Sequence, residues 1–517
     1  MARINTNISS VVAQSNLTKS QRDLSLRFER LSTGLRINRG ADDPAGLIVS
    51  ERIKSDLNGI NSGVKNSERA SSVIATTEAA LNEASELLNS IKSLMVEAAN
   101  TGGNSLEERN ANQLQIDSAL DSLTRLSNTA SFGRLKLLNG SLDYNLSGVR
   151  TSAITTARVW NASLVNQPNL QVTVDVVASA QKAGLYYNPG TTNPGRLLSA
   201  MTLEVTGAKG VQTFQFPVSA TLSSVMAAIN NTTSFTGVTA GLINNTMASG
   251  LVFRSSDYGS EQFVSVKRIG APATGNSWTT YNFANNANPA LGSPADWATL
   301  TGSGTLTTAQ RDNGKDVQAL INGALGTGRG LALSSNGSTL GVDLVLSEVF
   351  ATNPTATPTS FRITGGGALF QLGQDVTAPQ QTNLGIPSMA TSSLGATLIN
   401  GTVQYLSALK TGQGFSIADS VSTNDFTQAT TILDKAIDEV STLRGRLGAF
   451  ERNVLQTNVR SLQSAFENLS SANSQIRDAD FAAETSNLTR AQILSSSGTS
   501  VLGLANQQSQ QVLQLLG

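Results

Sequence analysis

The sequence predicts an α+β, multidomain fold: a long antiparallel helical coiled-coil core from both termini, with β-rich outer domains inserted in the middle. Three observations point there. From Ile53 an apolar stripe runs through Leu57, Ile60 and Val64, passes Ser67 and Ser71, and continues through Ile74, Leu81, Leu88, Ile91, Met95 and Ala98. Steps of about four and three mark a coiled-coil seam. A second stripe takes Leu433, Ile437, Val440, Leu443, Leu447, Phe450 and Val454, makes a four-four step through Asn458, and resumes at Leu462, Phe466, Leu469 and Ile476. Between the two stripes the period falls to two. Two unpartnered seams at opposite ends of one chain are expected to pair with each other.

Before the first stripe lies a basic, weakly apolar segment. Leu17, Leu24, Phe28, Leu31 and Leu35 fall near one face, and Lys19, Arg22, Arg27, Arg30, Arg36 and Arg39 outnumber Asp23 and Glu29. A helix here would be only half satisfied alone. Gly34, Gly40 and the run Ala41, Asp42, Asp43, Pro44 break it, because Pro44 disfavours helix at the residue before it and suits the first turn of the next. The second helix is expected from about residue 44 to Asn100, roughly 80 Å at about 1.5 Å per residue. Thr101 to Asn104 make a turn, and Ser105 with Glu108 form a capping box for a third helix. Its face of Ile116, Ala119, Leu120, Leu123 and Leu126 should fold back on the second helix. Phe132 to Gly140 leads out of the helical part.

From about 150 to 420 the reading is β-rich. Leu170, Val172, Val174 and Val176 alternate with polar residues, as do Leu203 with Val205 and Phe214 with Phe216. A short helix over Leu222 to Ile229 precedes strand-like pieces near Val238 to Ile243, Leu251 to Phe253 and Phe263 to Val266. Val317 to Asn322 resembles Val225 to Asn230, which suggests a second copy of the helix-then-strand pattern and hence two related modules. Beyond Arg490 the chain has no charged residue, yet it carries Ile493, Leu494, Val501, Leu502, Leu504, Val512, Leu513, Leu515 and Leu516. Ala491, Gly498, Gly503 and Ala505 among them permit close helix approach. Such a tail exposed on a monomer is an aggregation liability, so neighbouring subunits are expected to bury it.

Composition excludes several classes of chemistry. The 517 residues include no Cys and no His, which removes disulfides, the common zinc sites, Cys-His dyads and Ser-His-Asp triads. An enzyme would have to work with carboxylates, Lys or Tyr. Zero formal net charge with 14% charged residues argues against a nucleic-acid surface. No stretch approaches the roughly eighteen apolar residues of a transmembrane helix, and the first residues lack the apolar core of a secretory signal. On these grounds alone the chain reads as cytoplasmic, although a lack of Cys fits life outside the cell equally well.

The residues also resemble those of bacterial flagellins. The resemblance rests on Ile4-Asn5-Thr6-Asn7, on Glu29 to Asn38 (ERLSTGLRIN) and on Asp42-Asp43-Pro44-Ala45-Gly46-Leu47. At the other end it rests on Leu443-Arg444 with Leu447-Gly448-Ala449, on Ser486 to Leu494 (SNLTRAQIL), and on Gly498 to Leu502 with Ala505-Asn506-Gln507. It covers roughly 1–140 and 425–517. More weakly, Ala228-Ile229-Asn230 and Ser255 to Ser260 resemble a module inserted in some flagellins. The resemblance implies an inner coiled-coil segment at 1–43, a helical rod at 44–145, outer domains over 146–420 (about 150–300 and 301–420), a returning rod at 421–476 and a second inner segment at 477–517. It implies export through the hollow filament with an uncleaved signal, which overturns the cytoplasmic reading. Implied partners are further copies of the chain, the flagellar cap, a junction protein and an export chaperone, with no cofactor, nucleic acid or membrane insertion.

Site residues follow from the same resemblance. A subunit interface is expected at Arg30, Leu31, Leu35, Arg36, Asn38, Asp42, Asp43, Leu488, Arg490, Ile493, Leu494, Val501, Leu502, Leu513 and Leu516. Arg30, Arg36 and Arg39 would pair across subunits with Asp42, Asp43, Asp478 or Asp480, the plainer reading being a solvated basic face. Leu94 and Glu97, within the segment Leu94 to Asn100, resemble the stretch that engages Toll-like receptor 5. Receptor-activating members carry Arg where this chain has Ser90 and Glu where it has Gln115, so weak or absent activation is expected. The resemblance also implies O-glycosylation of outer Ser and Thr, at sites composition cannot identify. Gly365-Gly366-Gly367 lacks the Gly-Lys-Ser or Gly-Lys-Thr of a phosphate loop. Three rivals stand beside a filament subunit. One is a hook–filament junction protein. A second is an inserted enzyme, for which the His-Glu-x-x-His motif is impossible here and no glycosidase-like carboxylate pair stands out. The third is a filament subunit with adhesive outer modules.

Overall fold

The computed structural model describes residues 7–164, 167, 169–189, 195–270, 278–283, 297, 306–337, 339–399, 402–423 and 425–514. The chain divides into two compact units, one of Met1–Ser72, Phe370–Gln381 and Ala449–Gly517, the other of Val73–Leu369 and Thr382–Gly448. The helices are α1 (Ile8–Thr33), α2 (Pro44–Ala98), α3 (Leu106–Thr129), α4 (Leu222–Asn230), α5 (Thr233–Thr236), α6 (Glu348–Ala351), α7 (Ile417–Thr423), α8 (Thr427–Phe450), α9 (Gln456–Arg477) and α10 (Phe481–Gln514). Helix α2 runs through both units.

The first unit is built of paired helices. Asn7 caps α1 by accepting from the Ser10 N–H at 3.0 Å, and Gly34 ends it in the left-handed region at φ +72°. Asp43 accepts from the Gly46 N–H at 2.9 Å and opens α2 at Pro44. Helices α1 and α10 run antiparallel: Asn7 bonds Ala505, Leu17 meets Gly498, Arg27 meets Glu484, and Gly34 bonds Ala479. The first part of α2 and α9 do the same, through Ser50 with Asn473, Glu51 with Arg477, and Ser67 with Asn458. Between α8 and α9 lies a π-helical segment, Glu451–Leu455, where the Gln456 N–H reaches back five residues to the Glu451 carbonyl. The inserted residue coincides with the four-four step in the stripe, a stutter in the heptad pattern.

In the second unit the helical seams are closed. Ile74, Leu81, Leu88, Ile91 and Ala98 of α2, Ile116, Leu120 and Leu123 of α3, and Ile432, Leu433, Val440, Leu443 and Leu447 of α8 are buried. The capping box at Ser105 and Glu108 forms with both bonds present. Buried Gln113 of α3 donates to the Leu409 carbonyl at 3.0 Å and accepts from the Ile417 N–H at 2.7 Å, fixing the turn into α7.

The β part begins with a small ribbon of β1 (Ser131–Phe132) and β2 (Leu135–Lys136). An inner module contains β3 (Tyr144–Ser147), β4 (Ile154–Ala162) and β5 (Leu170–Ala178). An outer module holds β6 (Gly184–Tyr187), β7 (Met201–Gly207), β8 (Val211–Phe216), β9 (Val238–Leu242), β10 (Leu251–Ser255), β11 (Phe263–Ile269), β12 (Thr280–Phe283), β13 (Leu306–Thr308) and β14 (Arg311–Asn313). The chain then returns to the inner module as β15 (Gln318–Ile321), β16 (Ala324–Leu325), β17 (Thr327–Arg329), β18 (Ala332–Asn336), β19 (Leu340–Leu346) and β20 (Thr359–Gly366). Inner sheets β16-β15-β5-β20-β3 and β17-β18-β19-β4 enclose Val172, Val174, Val342, Leu344 and Phe361. Outer sheets β13-β12-β6-β10-β9 and β14-β11-β7-β8, with α4, enclose Leu185, Leu203, Val225, Phe253 and Val264. The remaining strands are β21 (Ala368–Gln371), β22 (Gln381–Leu384), β23 (Thr397–Ile399) and β24 (Thr402–Gln404).

Two expectations for the middle are corrected. Val317 to Asn322 is not a second copy of α4: residues 318–321 form β15, paired to β5 and β16. Asn322 and Gly323, at φ +50° and +84°, make the two-residue hairpin turn that joins β15 to β16. A divide between modules near residue 300 would separate β5 from β15, which are neighbours in one sheet. Instead the outer module is inserted in the inner one, and both crossings pass a seam where Gln181 and Lys315 exchange two backbone bonds of 2.9 Å. The inner module is tied to α8 by Arg158, which donates to Glu439 at 2.8 Å, and by Arg446, which donates to Asp343 at 3.0 Å and lies over the Trp160 ring.

Candidate subunit interface

The α1–α10 pair packs closely along its length but buries few side chains of its own. At one end Asn7 Nδ2 donates to the Ala505 carbonyl at 2.9 Å, and Ser10 donates to Asn506 at 2.8 Å. In the middle Gly498 lies against Leu17, and Ala491 is buried, so the small residues do permit close approach. At the other end Arg27 Nη1 donates to both Glu484 oxygens at 3.1 and 3.2 Å, while its Nε donates to Asp23 at 3.1 Å. Glu484 is buried, and this fork is a strong polar tie across the pair. Sequence reasoning misses it, because Glu484 is an isolated charge with no spacing to link it to Arg27.

The turn between α1 and α2 uses the polar residues expected at the interface. Leu35 bridges Asp478, and Arg36 donates from its backbone to the Arg477 carbonyl at 2.7 Å and from Nη2 to the Ile476 carbonyl at 2.6 Å. The Asp42 carboxylate accepts from the backbone N–H groups of Asn38 and Arg39 at 3.0 and 2.9 Å. Those two bonds, Arg39's first, hold its pKa below the ordinary carboxylate value. Asn38 Nδ2 donates to Thr33, and Arg39 donates to Glu29 at 3.0 Å. Asp480 accepts from Ala482 and Ala483 and caps α10, and Arg30 Nε is buried without a hydrogen-bond partner. Within one subunit, then, Asp42, Asp43 and Asp480 are occupied by backbone donors.

The apolar residues divide by exposure. Leu31, Leu35, Leu488 and Leu502 are half-buried, and Arg490 is exposed. Ile493 (61% exposed), Leu494, Val501 and Leu504 face outward on α10, and Ile8, Val11, Val12 and Phe28 do so on α1. Helix α9 buries no residue at all, and Phe466 on its apolar face is 40% exposed. Leu516 and the motif residues Ile4 to Thr6 lie outside the described residues, and of Leu513 only the backbone is described. Farther along, Ser90, Glu97 and Gln115 are exposed and Leu94 is half-buried. The Ser255 to Ser260 segment serves the fold of the modules, since Gly259 turns at φ +114° and Ser260 donates to Asp316 from its backbone at 3.0 Å. Gly365 to Gly367 turn the chain out of β20, all three at positive φ.

A model of the bacterial flagellin N-terminal helical region matches residues 4–143, and one of the bacterial flagellin C-terminal helical region matches residues 430–516. The B-type flagellin of Pseudomonas aeruginosa is 28% identical over 519 residues, covering 99% of both chains. The flagellin of Salmonella typhimurium is 28% identical over 537 residues, again covering 99% of both. The chain belongs to the bacterial flagellins. The polar flagellin F of Vibrio parahaemolyticus is 41% identical over 138 residues, which is 27% of this chain and 36% of that one. Among solved structures, FlgL of Xanthomonas campestris aligns over 81% of this chain and 98% of its own at 12% identity, with a TM-score of 0.26. The D2-D3 domains of the cap protein FliD from Escherichia coli cover 43% of this flagellin at 17% identity, also at 0.26. Scores that low carry no argument about fold or partners. As a flagellin, the chain is a structural subunit of the flagellar filament and an extracellular protein. No described helix is long and apolar enough to cross a membrane.

Proposed function

We propose that this filament subunit joins copies of itself through the helices of its first unit and performs no chemistry of its own. The observation that carries the reading is the outward apolar face of α1, α9 and α10, where Ile8, Phe28, Phe466, Ile493 and Val501 stand exposed. Exposed apolar side chains in such number are costly in water and are relieved by further subunits. Contacts between unlike faces that do not close build a helical filament instead of a ring. The interface comprises the half-buried Leu31, Leu35, Leu488 and Leu502, the exposed Ile493, Leu494 and Val501, and Arg30, Arg36 and Arg490 at its polar margin.

We assign 1–43 and 477–517 to an inner segment, 44–145 and 421–476 to the helical rod, and 146–420 to the outer domains. Export and assembly then call for the flagellar cap, a junction protein and an export chaperone as partners. The lack of His and Cys supports a purely structural role. The Toll-like receptor 5 segment is exposed at Ser90, Glu97 and Gln115, without the Arg and Glu of activating members, so purified monomer should give weak or no signal in a receptor reporter assay. Full potency there would refute that part.

Electron microscopy of monomer after seeded or salt-induced assembly tests the central claim, with a chain lacking residues 491–517 alongside. Long tubes from the intact chain and none from the truncation support polymerisation through α10. A short terminal layer from the intact chain would favour a junction protein.

A further inference from the structure

Between β21 and β22 the chain makes a loop that lies on the α2–α9 pair of the first unit. Its backbone seats in a notch in α2 made by Gly59-x-x-x-Gly63. A Cβ on Gly63 would come within 2.9 Å of the Leu372 carbonyl oxygen and 3.2 Å of Leu462, and one on Gly59 within 3.0 Å of Gln374. Leu372 is buried, and the Phe370 and Phe450 rings pack 6.2 Å apart. The loop is internally braced: Gln380 accepts at its carbonyl from Leu372 at 2.9 Å and Gly373 at 3.2 Å, and at its side chain from Asp375 at 2.6 Å.

The decisive contact is Asn458. Its Nδ2 donates to the Leu372 carbonyl at 2.9 Å and to Ser67 of α2 at 3.1 Å, so one amide joins the loop, α2 and α9. Asn458 lies just beyond the π segment, and it faces α2 because that segment adds one residue to the helix. Ser71 Oγ, donating to Glu451 at 2.5 Å, holds the other end of the same segment. Were the segment to close to an ordinary α-helix with every residue kept, everything downstream would turn by about 100°, the angle of one residue in an α-helix. Leu462, Phe466 and Leu469 would then point elsewhere.

We propose that the 372–380 loop and the π segment form a lock that sets the rotation of α9, and with it the direction in which the α9 apolar face meets a second copy of the chain. The lock rests on the assembly reading above but acts in the monomer. With α9 burying nothing of its own, the Asn458 bonds and the seated loop are what oppose the return of the segment to an ordinary α-helix.

Two measurements on the full-length monomer decide it. In hydrogen exchange, Asn458→Ala and Gly63→Ala should each speed exchange about tenfold over 371–380 and 456–477, and leave 430–447 unchanged. Because the chain has no Cys, thiols placed singly at positions 459–469 report which residues are shielded. In Asn458→Ala, where the segment is free to close to α-helix with every residue kept, that pattern should move by one residue, and deleting Asn453 as well should bring it back. Unchanged exchange in both variants, a uniform rise across the whole chain, or an unmoved pattern in Asn458→Ala would overturn the lock. Seeded assembly of the unaltered chain is scored separately, so failure to form filaments would count against the interface without touching the monomer result.

Discussion

The two units are made of similar helices and hold themselves together very differently. Among the described residues the first unit buries seven apolar side chains, Ala13, Ile37, Ile60, Ala70, Leu372, Leu455 and Ala491, three of them only alanines. The second unit buries every stripe position from Ile74 to Ala98 and adds two β-module cores. With about 1.5–3 kcal/mol for each large apolar side chain fully buried, the second unit has the means to fold alone and the first has not. The first unit therefore reads as half of a structure whose other half is supplied by neighbouring subunits. A marginal helix of this kind gains its stability from tertiary partners more than from propensity.

The sharpest way to break that contrast is to remove residues 491–517. Filament formation should be lost altogether, while the thermal unfolding of the second unit, followed by calorimetry, stays where it was. Next in size, Leu88→Ala in the closed seam should lower the unfolding free energy by about 2–5 kcal/mol in urea titration. Ile493→Ala, at a position 61% exposed, should stay within about 0.5 kcal/mol as a monomer and yet weaken assembly. If both cost the monomer equally, the first unit has a core of its own. Third, Glu484→Ala should cost about 1–3 kcal/mol, less than a fully buried pair because Arg27 keeps partial contact with water. Its effect should be confined to exchange in α1 and α10.

Acid sharpens the comparison through opposite signs. Asp42 in the first unit has a lowered pKa, so its contribution is present above the ordinary carboxylate value and is lost as pH falls through the lower folded one. Asp143 and Asp312 in the second unit are raised by burial. Their protonated forms favour the fold, an advantage present below the ordinary value and lost as pH rises through the folded one. Lowering pH from about 5 toward 3 should loosen the Asn38–Asp42 turn while relieving the Asp143 and Asp312 sites; Asp316, which burial raises but the Gly330 and Ser260 bonds hold below the ordinary value, should loosen as Asp42 does. Residue-resolved exchange across that range checks it, and the same sign at Asp42 as at Asp143 and Asp312 would refute it. A modest local effect is expected of Ser105→Ala, which should cost about 1 kcal/mol by opening the α3 capping box, measured by urea titration.

The helices are legible in the sequence because their signals are local. Gly34, Pro44 and the Ser105–Glu108 box each act within one turn, and the stripes repeat over many residues. Even the π segment leaves a trace, the run of fours at Val454, Asn458 and Leu462. Strand β15 is easily mistaken for helix because the apolar or neutral residues at Val317 to Ile321 fit either period, and only the Asn322-Gly323 turn settles it. The nesting of the modules has no local sign. Pairing of Val174 with Ile321 depends on register across almost the whole outer module. The Arg27–Glu484 fork is likewise invisible in one dimension, since only the antiparallel pairing of α1 with α10 brings the two together.

The chain enters and leaves the outer module beside Gln181 and Lys315, which exchange two backbone bonds, so the two ends of the insertion lie side by side in antiparallel register. Genetically, the outer module has a single address in the inner one, and any replacement must also answer the Tyr258–Glu348 and Glu261–Arg329 pairs that tie it to the inner module.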